Sequence, residues 1–398
     1  MKTRSWLDLL LMLVVTLAAC TSGNVPEVCS RDKFGCAVIE PDTTIKIGMG
    51  GPMTGGSANF GIDISQGAQI AIADAGEFQG FRFELVAEDD EGTPEGGAAV
   101  ANRFVMDKSI VAVAGHIMSG PTDAAMPIYE KAGIPMMSPA ATNIELTKKG
   151  SAVFNRVAFT DAMQARFAAE YLYHKLGIRD LALIHDSTAY GSGIAEEVRK
   201  DFEALGGKIV GFEAITRGEA DYSAPLVKIA AAKPQALYFG GSVQEGVILV
   251  NQMKITGLEG VIFFGDDGTF GSDFLTRTGV NGEGAYSTSF TLPESDRKTR
   301  FDAAYEKTYG IPPGKLSPFT WNGYDSTAPL ILAIKSVAII GGDGKLYIPR
   351  GALVTSVRNT RDYQGVTGTI TCSPVGECSA AQPTFYVIQG GKWVEAPK

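Results

Sequence analysis

The sequence predicts an α/β protein built from two similar, doubly wound parallel-sheet lobes. Short apolar runs alternate with amphipathic segments along most of its 398 residues. That is the pattern of parallel strands covered by helices on both faces. The strand-like runs fall into two sets of about five, one in each half of the chain, so two lobes are expected. Consecutive strands in the first half end in hydroxyl-rich turns. Open α/β sheets bind ligands beyond the carboxyl ends of their strands.

Residues 1–19 stand outside this fold. Lys2 and Arg4 make a basic start, 9–19 is an apolar run, and Leu17-Ala18-Ala19-Cys20 closes it. The run is short for a bilayer span and reads as a signal peptide. The small-small-Cys ending resembles the bacterial lipobox, which implies cleavage before Cys20 and a lipid on its thiol. Residues 20–42, with Ser, Gly, Pro and Asp, then read as a tether. Loss of Lys2, Arg4 and Asp8 with the leader takes the net charge from −9 to −10. An acidic balance without a Lys/Arg cluster argues against nucleic acid. Besides Cys20, the cysteines form two close pairs, Cys29/Cys36 and Cys372/Cys378. Three connectivities are open, and proximity favours the two local disulfides. Neither CSRDKFGC nor CSPVGEC has zinc-site spacing.

In the first half, strands are expected at 44–48, 81–86, 110–114, 134–137 and 153–157, with helices at 62–75 and 94–107. In the second, strands are expected at 181–185, 208–214, 236–239, 261–264 and 285–290, with helices at 163–176, 193–205 and 244–256. Residues 296–340 turn helical, and the apolar stretch 328–340 carries Lys335 and reads as a core helix. Residues 365–393 alternate like a hairpin, with Cys372 and Cys378 spanning its turn. GGPMTGGS at 50–57 comes within one residue of a P-loop, but Gly56 stands where the phosphate-binding lysine belongs. A rim turn carrying Phe60 is expected there instead. The strand at 110–114 ends in GHIMSG and the one at 134–137 in SPAAT, so Ser119 and Thr142 reach one rim. Neutral donors at helix N-termini suit an anion such as a carboxylate. Both residues also fit as simple helix N-caps.

The stretches IKIGMGGPMTGGSANFG, GHIMSGPT with SPAATNIELT, HDSTAYGSG, and ALYFGGS followed by FFGDDGTFG resemble the leucine/isoleucine/valine-binding proteins of bacterial ABC importers. Those proteins have the type I periplasmic binding-protein fold. The resemblance covers residues 44–395. It implies a three-crossing hinge near 158–163, 286–292 and 360–368. Lobe 1 would comprise 43–160 and 291–364, and lobe 2 would comprise 161–290 and 365–398. It also implies a ligand site. Ser119 and Thr142, with backbone groups at Ala140, match the positions that bind an α-carboxylate. Phe60 matches an aromatic that lies along the ligand side chain, and Phe319 is a pocket wall. Tyr190 would close over the ammonium end, which a ring face or phenol oxygen can favour. Asp267 matches the acid that pairs with the α-amino group. The family commonly has Glu there, so the shorter Asp must come closer or use a water, and Asp266 could substitute. Ser242 stands where leucine-binding members carry tyrosine, which widens the pocket or makes it more polar. A disulfide that better-known members carry near the first ligand loop is absent, with Gly92 and Met118 in about those places.

No catalytic set emerges: there is no G-x-S-x-G, no S-x-x-K with its companions and no reactive Cys/His candidate. The histidines at 116, 174 and 185 have no metal-ligand spacing, and His116 reads as structural. No cofactor or metal is expected. The expectation is a monomeric, exported, lipid-anchored substrate-binding protein. It would bind a small amino acid between closing lobes and deliver it to ABC permease subunits in the membrane. Three alternatives remain open. One is a ligand-sensing module that presents its closed form to a separate receptor. The second is the same fold binding an amide, urea or aromatic acid. The third is an exported enzyme on this fold.

Overall fold

A computed structural model of the chain describes residues 25–379 and 381–397. The expected signal peptide and Cys20 lie outside the described residues. Two sheets organise the rest. In the first, parallel strands run in the order Phe81–Asp89, Thr44–Gly51, Ile110–Val113, Met136–Ser138 and Phe154–Arg156, with the short antiparallel Glu77–Phe78 on one edge. In the second the order is Lys208–Ala214, Asp180–His185, Ala236–Gly240, Ile262–Gly265 and Tyr286–Phe290, again parallel. An antiparallel hairpin, Pro383–Gln389 with Lys392–Glu395, extends it. In both sheets the earliest strand lies second, so both wind outward from the same switch point. There the crevice for a ligand opens. Each expected strand is present, Lys208–Ala214 with the expected ends and the others with ends shifted by one to three residues. The strand Ile110–Val113 is buried throughout because helices cover both faces of its sheet.

Helices Ala58–Ala75 and Thr320–Val337 pack together on the first lobe. They cross at two glycines. A Cβ on Gly67 would sit 2.1 Å from the Thr320 carbonyl oxygen, and one on Gly323 would sit 2.1 Å from that of Ile64. Only glycine permits backbones this close. The apolar run at 328–340 is thus a core helix, which ends at Val337. Among the described residues no helix is long and apolar enough to cross a membrane.

Three expectations need correction. The tether reading of 20–42 fails in its described part. Residues Glu27–Arg31 form a helix, and Cys36–Ile39 pairs antiparallel with Leu346–Pro349. The Cys29–Cys36 disulfide closes the turn between them, and Ala37 and Ile39 are buried. A four-residue strand in polar surroundings leaves little periodic signal. Second, the Cys372–Cys378 disulfide forms but does not span the hairpin turn, which lies at Gly390 and Gly391, both at positive φ. Third, residues 365–378 stay on lobe 1 instead of joining lobe 2. Asp325 accepts hydrogen bonds from the backbone N–H groups of Val366 and Thr367 at 2.8 and 2.7 Å. Ile370, Cys372 and Cys378 pack into the lobe 1 core. The third crossing is therefore at 381–383. The first two lie at 159–161 and 290–292, where Phe159 and Phe290 meet edge to face at 5.8 Å.

Candidate ligand-binding site

The lobe 1 wall comes from two strand ends. Ser119 opens the helix Ser119–Ala132, and its Oγ accepts the Asn143 N–H at 3.3 Å. Ala140 and Thr142 follow the strand Met136–Ser138. Ser138 Oγ donates to the His116 carbonyl at 2.6 Å and accepts from Ala141 N–H at 2.9 Å, which ties the two loops together. His116 is fully buried, with Nδ1 2.8 Å from Asp90 Oδ2 and Nε2 2.9 Å from the Tyr129 hydroxyl. It is a structural residue.

Beneath the second loop lies Arg156, also fully buried. Its Nη1 donates to the carbonyls of Ala141 and Asn143 at 3.0 and 2.7 Å. Its Nε and Nη2 reach Glu377 at 2.8 and 2.6 Å. The Cys372–Cys378 loop thus braces the turn that carries Thr142.

Lobe 2 contributes the opposite wall. Tyr190 sits in the first turn of the helix Ala189–Ala204, capped by Thr188 Oγ1, which accepts Gly191 N–H at 2.9 Å. Asp266 and Asp267 follow the strand Ile262–Gly265. The Tyr190 hydroxyl donates to Asp267 Oδ1 at 2.7 Å. The Gln164 side chain brackets the same residue: its amide nitrogen donates to Oδ1, and its oxygen accepts Asp267 N–H at 3.0 Å. Ser242 stands at the N-cap position of the helix Val243–Met253, at the neighbouring strand end, with no capping hydrogen bond from its side chain.

Phe60, Ser119, Ala140, Tyr190, Ser242, Asp267 and Phe319 line one cleft between the lobes. Phe60 lies in the first turn of its helix rather than in a rim turn. Its ring is 6.3 Å from Phe319, which packs in turn on Phe290 at 5.5 Å and Phe159 at 6.1 Å. The apolar end of the cleft therefore rests on two hinge crossings. Thr142 does not reach the cleft surface. It is fully buried and its Oγ1 has no hydrogen-bond partner.

Sequence reasoning missed Asp161, the last residue of the first crossing and the first of the helix Asp161–Glu170. It is 1% exposed, and neither carboxyl oxygen has a hydrogen-bond partner. Burial, with the Asp267 charge second, pushes its pKa up to about 8. Thr142 lies close enough to restrain that rise, but without the geometry of a hydrogen bond. Burial also raises Asp267, against the lowering effect of Tyr190 and Gln164. Asp266 is raised well above its usual range by burial and by Asp267. Asp161 had a signal, its place after Thr160 at a helix start, but an acid there reads as an ordinary first-turn residue. Gln164, Ser57 and Met118 were also missed. The result is a cleft with hydroxyl and helix N-terminal donors on one side and the Asp267 carboxyl on the other, with the unpartnered carboxyl oxygens of Asp161 and Asp266 buried nearby. Such a cleft can hold a zwitterion. Among the described residues no cluster of His, Cys, Asp or Glu is placed to hold a metal ion.

The sequence profile of a family described as periplasmic binding protein matches residues 44–390. An amino acid binding protein of Pseudomonas aeruginosa is 37% identical over 238 residues, 59% of this chain and 63% of that protein. The match thus spans less than two thirds of that relative. A leucine-, isoleucine-, valine-, threonine- and alanine-binding protein of the same organism is 36% identical over 260 residues, 65% of this chain and 69% of that protein. The crystal structure of a leucine-binding protein from Thermotoga maritima superposes with a TM-score of 0.79 at 26% identity, covering 89% of this chain and 98% of that one.

Proposed function

Because this chain belongs to the periplasmic binding protein family, we propose that it binds a small amino acid between its lobes and delivers it to an ABC permease. The observation that carries this reading is the division of the cleft. Ser119 and Ala140 stand on lobe 1, and Tyr190 and Asp267 on lobe 2. The α-carboxylate goes to the Ser119 hydroxyl and the start of the helix Ser119–Ala132. The α-ammonium goes to Asp267, with Asp161 as a second countercharge behind it. Both lobes touch the ligand, so binding favours the closed arrangement, and closure becomes a shape a permease can read. The relatives named above bind amino acids, which agrees with this assignment. The ligand leaves chemically unchanged.

In this reading the protein acts as an exported monomer, held at the membrane by a lipid on Cys20. Thermal-shift screening of the amino acids, small amides, urea and aromatic acids, followed by calorimetry on the hits, tests the ligand class. Stabilisation by one or more α-amino acids is the expected result. Stabilisation only by ligands that lack an amino group overturns it.

A further inference from the structure

The cleft continues past Ser242. A second cavity of about 420 Å³ shares Met118, Ser119, Tyr190 and Ser242 with it, and is lined further out by Gly92, Asp186 and Arg217. A serine at 242 leaves the passage between the two open, whereas an aromatic ring there would fill it.

Arg217, Asp186 and Glu95 are the charged residues that line the far end, and Glu245 is buried outside the lining. Arg217 comes from lobe 2 and reaches lobe 1. Its Nη2 donates to Ser57 Oγ at 2.9 Å and its Nη1 to the Gly92 carbonyl at 3.3 Å. A guanidinium has further N–H donors to offer. Asp186 is 1% exposed. Its Oδ1 accepts from the Thr188 N–H and hydroxyl at 3.1 and 2.6 Å, while its Oδ2 has no partner. Glu245 is equally buried. Its Oε1 accepts Gly218 N–H at 3.0 Å, and its Oε2 is unpartnered. The charge of Arg217 is therefore already faced by two buried acids. An anionic ligand side chain would meet the Asp186 and Glu95 carboxyls, and a cationic one would meet the guanidinium. A neutral group with an acceptor and a donor suits the site best. Its carbonyl oxygen can take a guanidinium N–H, and its NH₂ can donate to an acid of the lining.

We propose that this cavity is the side-chain subsite of the ligand, and that the preferred ligand is an amino acid whose side chain ends in a carboxamide. This rests on the amino-acid reading above.

Calorimetry with glutamine, glutamate and norleucine tests it, since the three are similar in length and differ at the end group. In the unmodified protein glutamine should bind about tenfold tighter than either of the others, the worth of one or two net hydrogen bonds. Arg217→Met breaks the contacts to Ser57 and Gly92 and should weaken every ligand. The subsite predicts a further loss of about tenfold for glutamine relative to norleucine. Ser242→Tyr should abolish the preference for glutamine and favour short aliphatic amino acids. Norleucine or glutamate binding as tightly as glutamine, or an unchanged glutamine-to-norleucine ratio in Arg217→Met, overturns the subsite and leaves amino-acid binding standing. If glutamine, glutamate, norleucine, alanine and leucine all fail to bind, the amino-acid reading itself falls.

Discussion

Asp267 is the residue on which the proposed ammonium contact depends most. It is 3% exposed, and Tyr190 and Gln164 orient its carboxyl. Asp267→Asn should weaken binding of an amino acid by roughly 3–5 kcal/mol, since it leaves the ammonium without its countercharge in a desolvated cleft. Ser119→Ala should cost less, about 1–3 kcal/mol, because the N–H groups at the start of its helix still hold the carboxylate. Calorimetry that ranks the two variants in the opposite order would misplace the ammonium. Asp161 allows a separate test. Its folded pKa of about 8 lies well above the model-peptide value of 3.8. Between those values the folded chain keeps a proton that the unfolded chain releases. Ligand-free stability should therefore fall as pH rises from 4 towards 8, by up to about 1.4 kcal/mol per pH unit. Asn keeps the site neutral at every pH. Asp161→Asn should raise the melting temperature of ligand-free protein at pH 7, with the gain vanishing near pH 4, and should weaken amino-acid binding at the same time. Equal melting temperatures at both pH values would mean that the carboxyl is already ionised.

At the scale of elements, the loop closed by Cys372 and Cys378 matters more than its distance in sequence implies. Glu377 holds Arg156, and Arg156 holds the carbonyls on either side of Thr142. Glu377→Gln removes the countercharge of a fully buried guanidinium. Because the Glu377 side chain is 30% exposed, the cost to stability should stay below that of a fully buried pair, about 1–3 kcal/mol. Ligand affinity should fall with it, since the 140–143 turn loses its brace. A destabilised variant with unchanged affinity would show that the brace serves the fold alone. Strands and helices of ordinary length were legible because each repeats an apolar pattern over several residues. Cys36–Ile39 was not, because four residues in polar surroundings carry little apolar pattern of their own, and Ile339–Ile340 was hidden in an apolar run that reads as helix. The third crossing was misplaced for a different reason. What keeps 365–378 on lobe 1 is Asp325 and Arg156, both remote in sequence.

For the whole molecule, the proposed function turns on closure of the two lobes. Outside the ligand cleft, Asn143 Nδ2 donates to the Ala189 carbonyl at 2.5 Å, and Arg217 spans the gap on the other side. These contacts exist only when the lobes are together. Asn143→Ala should shift the ligand-free population towards open forms and weaken every amino acid by a similar factor, about two- to tenfold. Small-angle scattering should show a smaller radius of gyration on ligand addition. A radius that does not respond to a saturating ligand would remove closure from the mechanism. Anchoring is tested at the same scale. Cys20→Ala should release soluble or unprocessed protein from the membrane fraction. A variant that still fractionates with membranes at the same processed mass would show that another feature holds the protein there.

By itself the sequence determined the alternation of strands and helices, both disulfide pairs, and seven residues that line one cleft. The first two depend on patterns or neighbours within a short stretch of chain, and the seven residues follow from the resemblance to a known family. Tertiary structure alone decided which unsatisfied groups meet there. Asp161 and Asp267 are far apart in sequence, and each is an ordinary loop or first-turn acid until folding removes the water around both. The same holds for Arg217, Asp186 and Ser242, whose joint cavity exists only because two separately wound sheets bring their strand ends face to face. Desolvation and charge coupling are properties of that assembled space, and no local pattern encodes them.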